Sequence, residues 1–433
     1  MRLTIAATAI AISFPAVAAD RYSVNVPSGH VGDIFTIVRE GKAVGGMSAV
    51  SSWQSYCASE PNRFHVYLRG DAPLDRETIA HGGINSRSMY AVTEGDNLLL
   101  WDVSTGDSFA YTMEGLSAIE YRHCPGYSEQ GYSFSYDENS VKACKADDCT
   151  SIEIRPGTWP YIYASANGAV VASTNYGDTL IFRNGMWCRA VKQDEEWSCP
   201  EHDVPVVFEP SDQFYSAINY QGKTLLGQYP TGRLYEFDGE RVFPSEMSPP
   251  GTSSERLGLE AQSVAEYCGD LYVGYWPQGR IMKRDRETGE WSDEMRLFTH
   301  PQMETIHTVP YADREPEQNA PPQFIFNSLG QRVTSLVPWQ DGLVATTSNK
   351  GAWTTDYIPS FMTDDQANEY GAVHFLKKPG CHTFQVKSRN FIITVLDGEM
   401  TVAAGGNIIA TVKGGADGDL IAAPGITISQ DES

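Results

Sequence analysis

Short runs of alternating apolar and polar residues, each four to eight long and ended by Gly, Pro or Asn, fill nearly the whole chain. The clearest are Tyr220-Gln-Gly-Lys-Thr-Leu-Leu-Gly-Gln-Tyr-Pro-Thr-Gly-Arg233 and Tyr267-Cys-Gly-Asp-Leu-Tyr-Val-Gly-Tyr-Trp-Pro-Gln-Gly-Arg280. In each, an apolar strand ends near Gly, a second strand follows, and a polar x-Gly turn leads into a third. The two copies share one register, spaced like four-stranded propeller blades, which bury their faces only by stacking on neighbours. Long amphipathic helices are not expected, because Gly and Pro interrupt the chain every few residues.

Related units occur at Glu94–Gly106, Asn167–Trp187 and Gln340–Asp356, with a less regular one around Ser117–Asp137. Their x-Gly turns fall at Gly106, Gly131, Gly177, Gly232, Gly279 and Gly351. The reading is all-β: a seven-bladed propeller, with six or eight blades open, closed by strands from both termini. It assigns 1–19 to a signal peptide, 20–425 to one propeller domain with an insertion loop at 299–323, and 426–433 to a frayed tail. The signal reading rests on Arg2, the apolar stretch Leu3–Phe14 and the small-residue site Ala16-Val17-Ala18. It places the mature protein in the periplasm or outside the cell, and no later stretch is long enough for a membrane span.

An oxidising destination changes the reading of the 8 cysteines. Cys144 and Cys149 are close enough to staple one turn, and Cys188 and Cys199 to clamp a hairpin. The pairing of Cys57, Cys124, Cys268 and Cys381 stays open. No C-x-x-C or H-E-x-x-H spacing occurs, so no metal site is assigned and any cofactor is unknown. With 32 basic and 55 acidic residues the net charge is −23, which excludes nucleic acid as a default partner.

If the second-to-third-strand turns ring one rim, they gather Asn175, Tyr176, Tyr229, Tyr275, Trp276, Asn349 and Lys350, with Arg233 and Arg280 directly after two of them. Rings, amides and cations around one concavity suit a sugar, and an arginine also pairs with a carboxylate. The plain alternative is that Tyr-Pro and Trp-Pro end strands and that each arginine pairs with a nearby acid. His81 and His123 are the candidate general bases. No G-x-S-x-G supports serine catalysis.

With its secretion signal and the run Gly227-Gln-Tyr-Pro-Thr-Gly-Arg-Leu-Tyr-Glu-Phe-Asp-Gly239, the chain resembles secreted propeller polysaccharide lyases of the ulvan type. The resemblance implies a groove where His, Tyr and Arg cleave an acidic polysaccharide by β-elimination. Tyr229, Tyr176, His123 and His81 are then the candidate proton-transfer groups. Arg233, Arg280, Asn175, Tyr275, Trp276, Asn349 and Lys350 would hold the polymer. The competing expectation is a non-catalytic propeller that binds a glycan or protein by the same face.

Overall fold

The computed structural model describes most of residues 73–386, apart from the segments 82–88, 95–96, 103–105, 121–126, 203–211, 256–257, 304–309, 312–328 and 351–357 and isolated single positions. Beyond that range it describes only paired backbone strands near the two ends. The signal segment, His123, Cys57, Cys124 and Gly351 lie outside the described residues.

Six antiparallel sheets of blade type follow one another between Asp75 and Lys377. The first contains Met89–Glu94, Asn97–Asp102, Ser108–Thr112 and Gly115–Ile119; the second contains Tyr127–Glu129, Tyr132–Tyr136, Ser140–Lys145 and Asp148–Glu153. The third contains Pro160–Ala166, Ala169–Thr174, Thr179–Arg183 and Met186–Arg189. The fourth runs from Gln213–Tyr220 through Lys223–Tyr229 and Leu234–Phe237 to Arg241–Pro244, and a hairpin of Val191–Gln193 and Glu196–Ser198 extends it. The fifth contains Glu260–Tyr267, Asp270–Trp276, Arg280–Arg284 and Trp291–Arg296. The sixth is built from Gln331–Trp339, Gly342–Asn349 and Ala372–Lys377, and Asp75–His81, from the N-terminal side, supplies its outer strand.

The first-named strands of blades three, four, five, six and one touch in that series, and the second blade joins the third through a shared core. The chain is a β-propeller whose last blade is completed from the other end of the sequence. Two further sheets interleave the termini in the same way. In one, His382–Val386 pairs with Phe64–Leu68; in the other, Arg21–Asn25 lies between Asn390–Leu396 and Thr427–Gln430. The last of these strands falls where the sequence suggested a frayed tail.

A repeated device sets the spacing between blades. Ser216 and Ser263 occupy the same place on the inner strands of blades four and five, just after a β-bulge. Ser216 Oγ donates to Ala261 O at 2.9 Å and Ser263 Oγ to Val333 O at 2.8 Å, each in the next blade. Ser335 repeats the position in blade six, where its Oγ accepts from Ala91 N of blade one at 3.0 Å. Opposite Ser216 and Ser263 in register stand Gly227 and Gly274. A Cβ on Gly227 would lie 2.4 Å from Ala261 O, and one on Gly274 2.5 Å from Val333 Cγ1. The central Gly of each clear repeat therefore lets the neighbouring blade approach.

Three disulfides occur among the described residues. Cys144–Cys149 joins directly opposed residues of the second blade's outer hairpin, with Cα atoms 4.1 Å apart. Cys188–Cys199 also forms, but it is not the expected hairpin clamp. Cys188 is on the third blade's outer strand and Cys199 follows the hairpin that belongs to the fourth blade, so the bridge ties two blades together. Cys268–Cys381 fastens a turn of the fifth blade to the chain leaving the sixth.

Candidate functional site

The sequence places the x-Gly turns on one rim, and Gly106, Gly177, Gly232 and Gly279 do lie between second and third strands of their blades. Gly131 does not: it joins the first and second strands of blade two, on the opposite rim. There the second-to-third turn is held instead by Asp137, whose Oδ1 accepts from Asn139 N at 3.0 Å and Ser140 Oγ at 2.9 Å. An Asx turn replaced glycine, and the alignment slipped by one strand.

Two of these turns are fastened to the next blade rather than left as open loops. Leu259 N donates to Pro230 O at 3.0 Å, and Gln331 N donates to Pro277 O at 2.7 Å. This fastening directs several of the expected ligand residues into structure. The Tyr275 hydroxyl, buried, donates to Gly232 O at 2.8 Å. Asn175 caps the entry to its own blade, its Oδ1 accepting from Trp159 N at 3.0 Å. Asn349 is fully buried, and its side-chain amide makes no hydrogen bond among the described residues. Arg233 forms an ion pair with Glu195 at 2.7 Å, and Arg280 pairs with Asp293 on the outer strand of its own blade. The arginines expected to meet a ligand carboxylate thus already have carboxylates of their own. Tyr176 is exposed, with the Arg155 guanidinium 4.4 Å from its ring centre. The backbone of His81 ends the strand that closes blade six, opposite Ala372.

Three of the expected residues do converge. Tyr229, half-buried, meets the buried Trp276 edge to face with ring centres 6.3 Å apart. The Lys350 ammonium from the sixth blade sits 4.7 Å from the Trp276 ring centre and 6.0 Å from that of Tyr229. The rings continue the other way: Tyr215 is 6.3 Å from Tyr229, Tyr161 is 4.8 Å from Tyr215, and Trp159 is 6.3 Å from Tyr161. The result is an arc from the exposed Trp159 of the third blade to Lys350 of the sixth. Indole and phenol rings present apolar faces with polar edges, the chemistry that covers the C–H face of a sugar.

Beside this arc, toward the axis, lies a charged pair that sequence reasoning missed. Glu260 opens the fifth blade's inner strand, and Nε and Nη2 of Arg332 from the sixth lie 3.2 and 3.3 Å from its two oxygens. Burial pushes the Glu260 carboxyl up from the ordinary range, while Arg332 and then Lys350 pull the other way. Burial also pushes the Tyr161 phenol up to about 12 and the Tyr215 phenol well above its ordinary value. These phenols are hydrogen-bond donors at neutral pH, not bases. A signal did exist: Tyr161 and Tyr215 occupy the bulge of their inner strands, immediately before the position of the blade-locking serine in blade four. Only a strand-by-strand register exposes it.

No group of three or more His, Cys, Asp or Glu among the described residues is arranged to hold a metal ion. No described helix is long and apolar enough to cross a membrane.

No protein-family model matches the chain, and no curated protein does. Solved structures do. The extracellular domain of a chain described as a one-component system from B. thetaiotaomicron is 12% identical over 79% of this chain, with a TM-score of 0.34. This chain spans only 39% of that domain's length. The β-propeller domain of Cps50 (Swd1) from Myceliophteria thermophila is 10% identical, covering 70% of this chain and 99% of its own, with a TM-score of 0.33. BamB from Moraxella catarrhalis is 10% identical, covering 83% and 98%, with a TM-score of 0.26. The propeller assignment rests on this chain's own sheet order and interblade cores.

Proposed function

We propose that this chain is a secreted or periplasmic propeller that binds an acidic glycan along the arc from Trp159 to Lys350. The observation that carries the reading is the exposed Trp159 and the half-buried Tyr161 and Tyr229, set in one row by the buried rings of Tyr215 and Trp276, across three consecutive blades and ending on a cation. Charge is compatible with it: the arc ends on the Lys350 ammonium, beside the Arg332–Glu260 pair, on a chain of net −23. The disulfides and the expected signal segment support export.

Cleavage by β-elimination asks for more than this arrangement supplies. Besides a cation such as Lys350 on the carboxylate, it needs a base at the neighbouring carbon. Arg233 and Arg280 are engaged elsewhere, and the buried phenols of Tyr161 and Tyr215 resist deprotonation. Binding is the function the geometry supports best.

The test is retention of the purified protein on immobilised acidic and neutral polysaccharides, with unsaturated-product absorbance followed in parallel. Trp159→Ala and Tyr229→Ala should each weaken binding about 3- to 10-fold, as expected when one stacking ring is worth about 0.5–1.5 kcal/mol. Lys350→Ala should weaken binding to acidic polymers and leave neutral ones unaffected. Absence of retention on every polymer would end the glycan reading. Unsaturated product from the wild type that disappears in Tyr229→Phe would replace binding by lyase chemistry.

A further inference from the structure

The outer strand of a blade has one lateral edge that its own sheet does not use, and an uncovered edge is a template for another strand. Blades two to six guard theirs. The fifth blade's outer strand carries Asp293, Glu294 and Arg296, and the sixth blade's carries Asp75, Arg76 and Glu77. Asp148 and Glu153 stand at the two ends of the second blade's outer strand. In the third, Arg189 follows Cys188, which is bridged to Cys199. The fourth blade's outer strand, Arg241–Pro244, is covered by the hairpin strand Glu196–Ser198.

The first blade departs from this. Its outer strand Gly115–Ile119 reads Gly-Leu-Ser-Ala-Ile, with no charge and no proline, and every residue of it is exposed. One side pairs with Ser108–Thr112, and no described strand pairs with the other. Leu116 is 47% exposed and Ile119 38%, and three positions apart they lie on opposite faces of the sheet. A strand laid along this edge would hydrogen-bond the open backbone groups and cover one apolar side chain on each face.

Charge decides which strand fits. Glu114 and Glu120 bracket the edge, both exposed, and neither is in an ion pair among the described residues. Two copies of this chain pairing antiparallel about Ser117 would set Glu114 of each opposite Glu120 of the other, and like charges directly opposed destabilise a ladder. The net charge of −23 adds repulsion between copies. A strand with a basic residue at each end turns both oppositions into ion pairs, whichever way it runs.

We propose that Gly115–Ile119 is a docking edge for an extended segment of a partner protein, apolar in its middle and bracketed by Lys or Arg, which joins blade one as an additional strand. The site is independent of the glycan reading, because blade one contributes nothing to the arc.

The experiment follows fluorescence anisotropy of a labelled peptide, Lys-Val-Thr-Thr-Val-Thr-Lys, as the full-length protein is added. The same peptide with Glu at both ends should bind about 5- to 20-fold more weakly, as two cross-strand pairs change from opposite to like charge. Lys-Val-Thr-Pro-Val-Thr-Lys, which lacks a central N–H for the ladder, should not bind measurably. Ser117→Lys, which installs the kind of guard the other blades carry, should abolish binding of the lysine peptide. Glu114→Lys combined with Glu120→Lys should reverse the preference between the lysine and glutamate peptides. No binding of the lysine peptide, equal affinity for the lysine and glutamate peptides, or binding that survives Ser117→Lys overturns the proposal. Concentration-dependent dimerisation of the wild type that Ser117→Lys abolishes would also overturn it, by giving the edge to a second copy.

Discussion

The junctions that flank the fifth blade and the junction between the second and third solve one problem in opposite ways. Around blade five the backbones come so close that glycine is required at 227 and 274 and a serine hydroxyl bridges to the next blade's carbonyl. Between blades two and three the sheets are held apart by rings. Phe134, 1% exposed, has the rings of Tyr127, Tyr132, Tyr163, Phe182 and Trp187 at 5.9, 6.5, 6.0, 5.3 and 5.8 Å. The tight junction constrains residue identity at fixed positions, so its repeats are nearly superimposable in sequence. The ring-filled junction constrains only volume, which many residue combinations satisfy. The repeat is faint there for that reason.

The two designs should fail under opposite substitutions. Removing a ring from the spacious junction is expected to have the largest effect: Phe134→Ala should cost about 3–5 kcal/mol in denaturant unfolding, through lost burial plus a residual cavity. A loss under about 1 kcal/mol would mean the ring cluster does not hold the junction. Adding a methyl to the tight one comes next. Gly274→Ala should cost about 2–3 kcal/mol, because the new Cβ meets Ser263 Oγ at 2.4 Å as well as Val333. Gly106→Ala is its control: nothing lies within 4 Å, so only the strained positive φ of +79° contributes, about 1 kcal/mol. Equal losses at 274 and 106 would remove close approach as the reason for the repeat's central Gly.

The second blade's outer strand Asp148–Glu153 is largely exposed, so its hairpin gains little from burial. Opening Cys144–Cys149 by Cys→Ser at both positions should therefore register plainly, at about 2 kcal/mol from the short closed loop. An unchanged unfolding midpoint would show that this blade holds its edge without a staple.

The smallest effect is a polar one at the junction of blades five and six. Glu369, next to the short helix Asp364–Asn368, accepts from Thr299 N at 3.0 Å and lies 2.7 Å from His300 Nδ1. Burial pushes its carboxyl up, but the hydrogen bonds from His300 and Thr299 outweigh this and hold it below the ordinary 4.5. Its contribution is therefore present above pH about 4.5 and lost as pH falls below that value. Glu369→Gln should flatten the acid limb of stability against pH and change little in the limb above pH 7. An acid limb identical to wild type would remove this carboxylate from the account.

Much of this protein could be read from the order of its residues. Strand periodicity, the x-Gly turns and the recurrence around Tyr220 and Tyr267 point to stacked antiparallel blades, and short spacing correctly paired Cys144 with Cys149 and Cys188 with Cys199. Sequence also put Tyr229, Trp276 and Lys350 at equivalent turns of neighbouring blades, and their side chains do pack together. Such features are local: they depend on backbone propensity and on contacts a few residues apart, which sequence records directly.

What the tertiary structure decided depends on pairs far apart in the chain. Arg332 meets Glu260 across 72 positions, and the outer strand Asp75–His81 completes a blade that begins at Gln331. Whether Arg233 faces a ligand or Glu195 is set by a hairpin that precedes it by 38 residues. A side chain's free energy is set by whichever charges and rings surround it after folding, and the chain brings those together only when the blades stack.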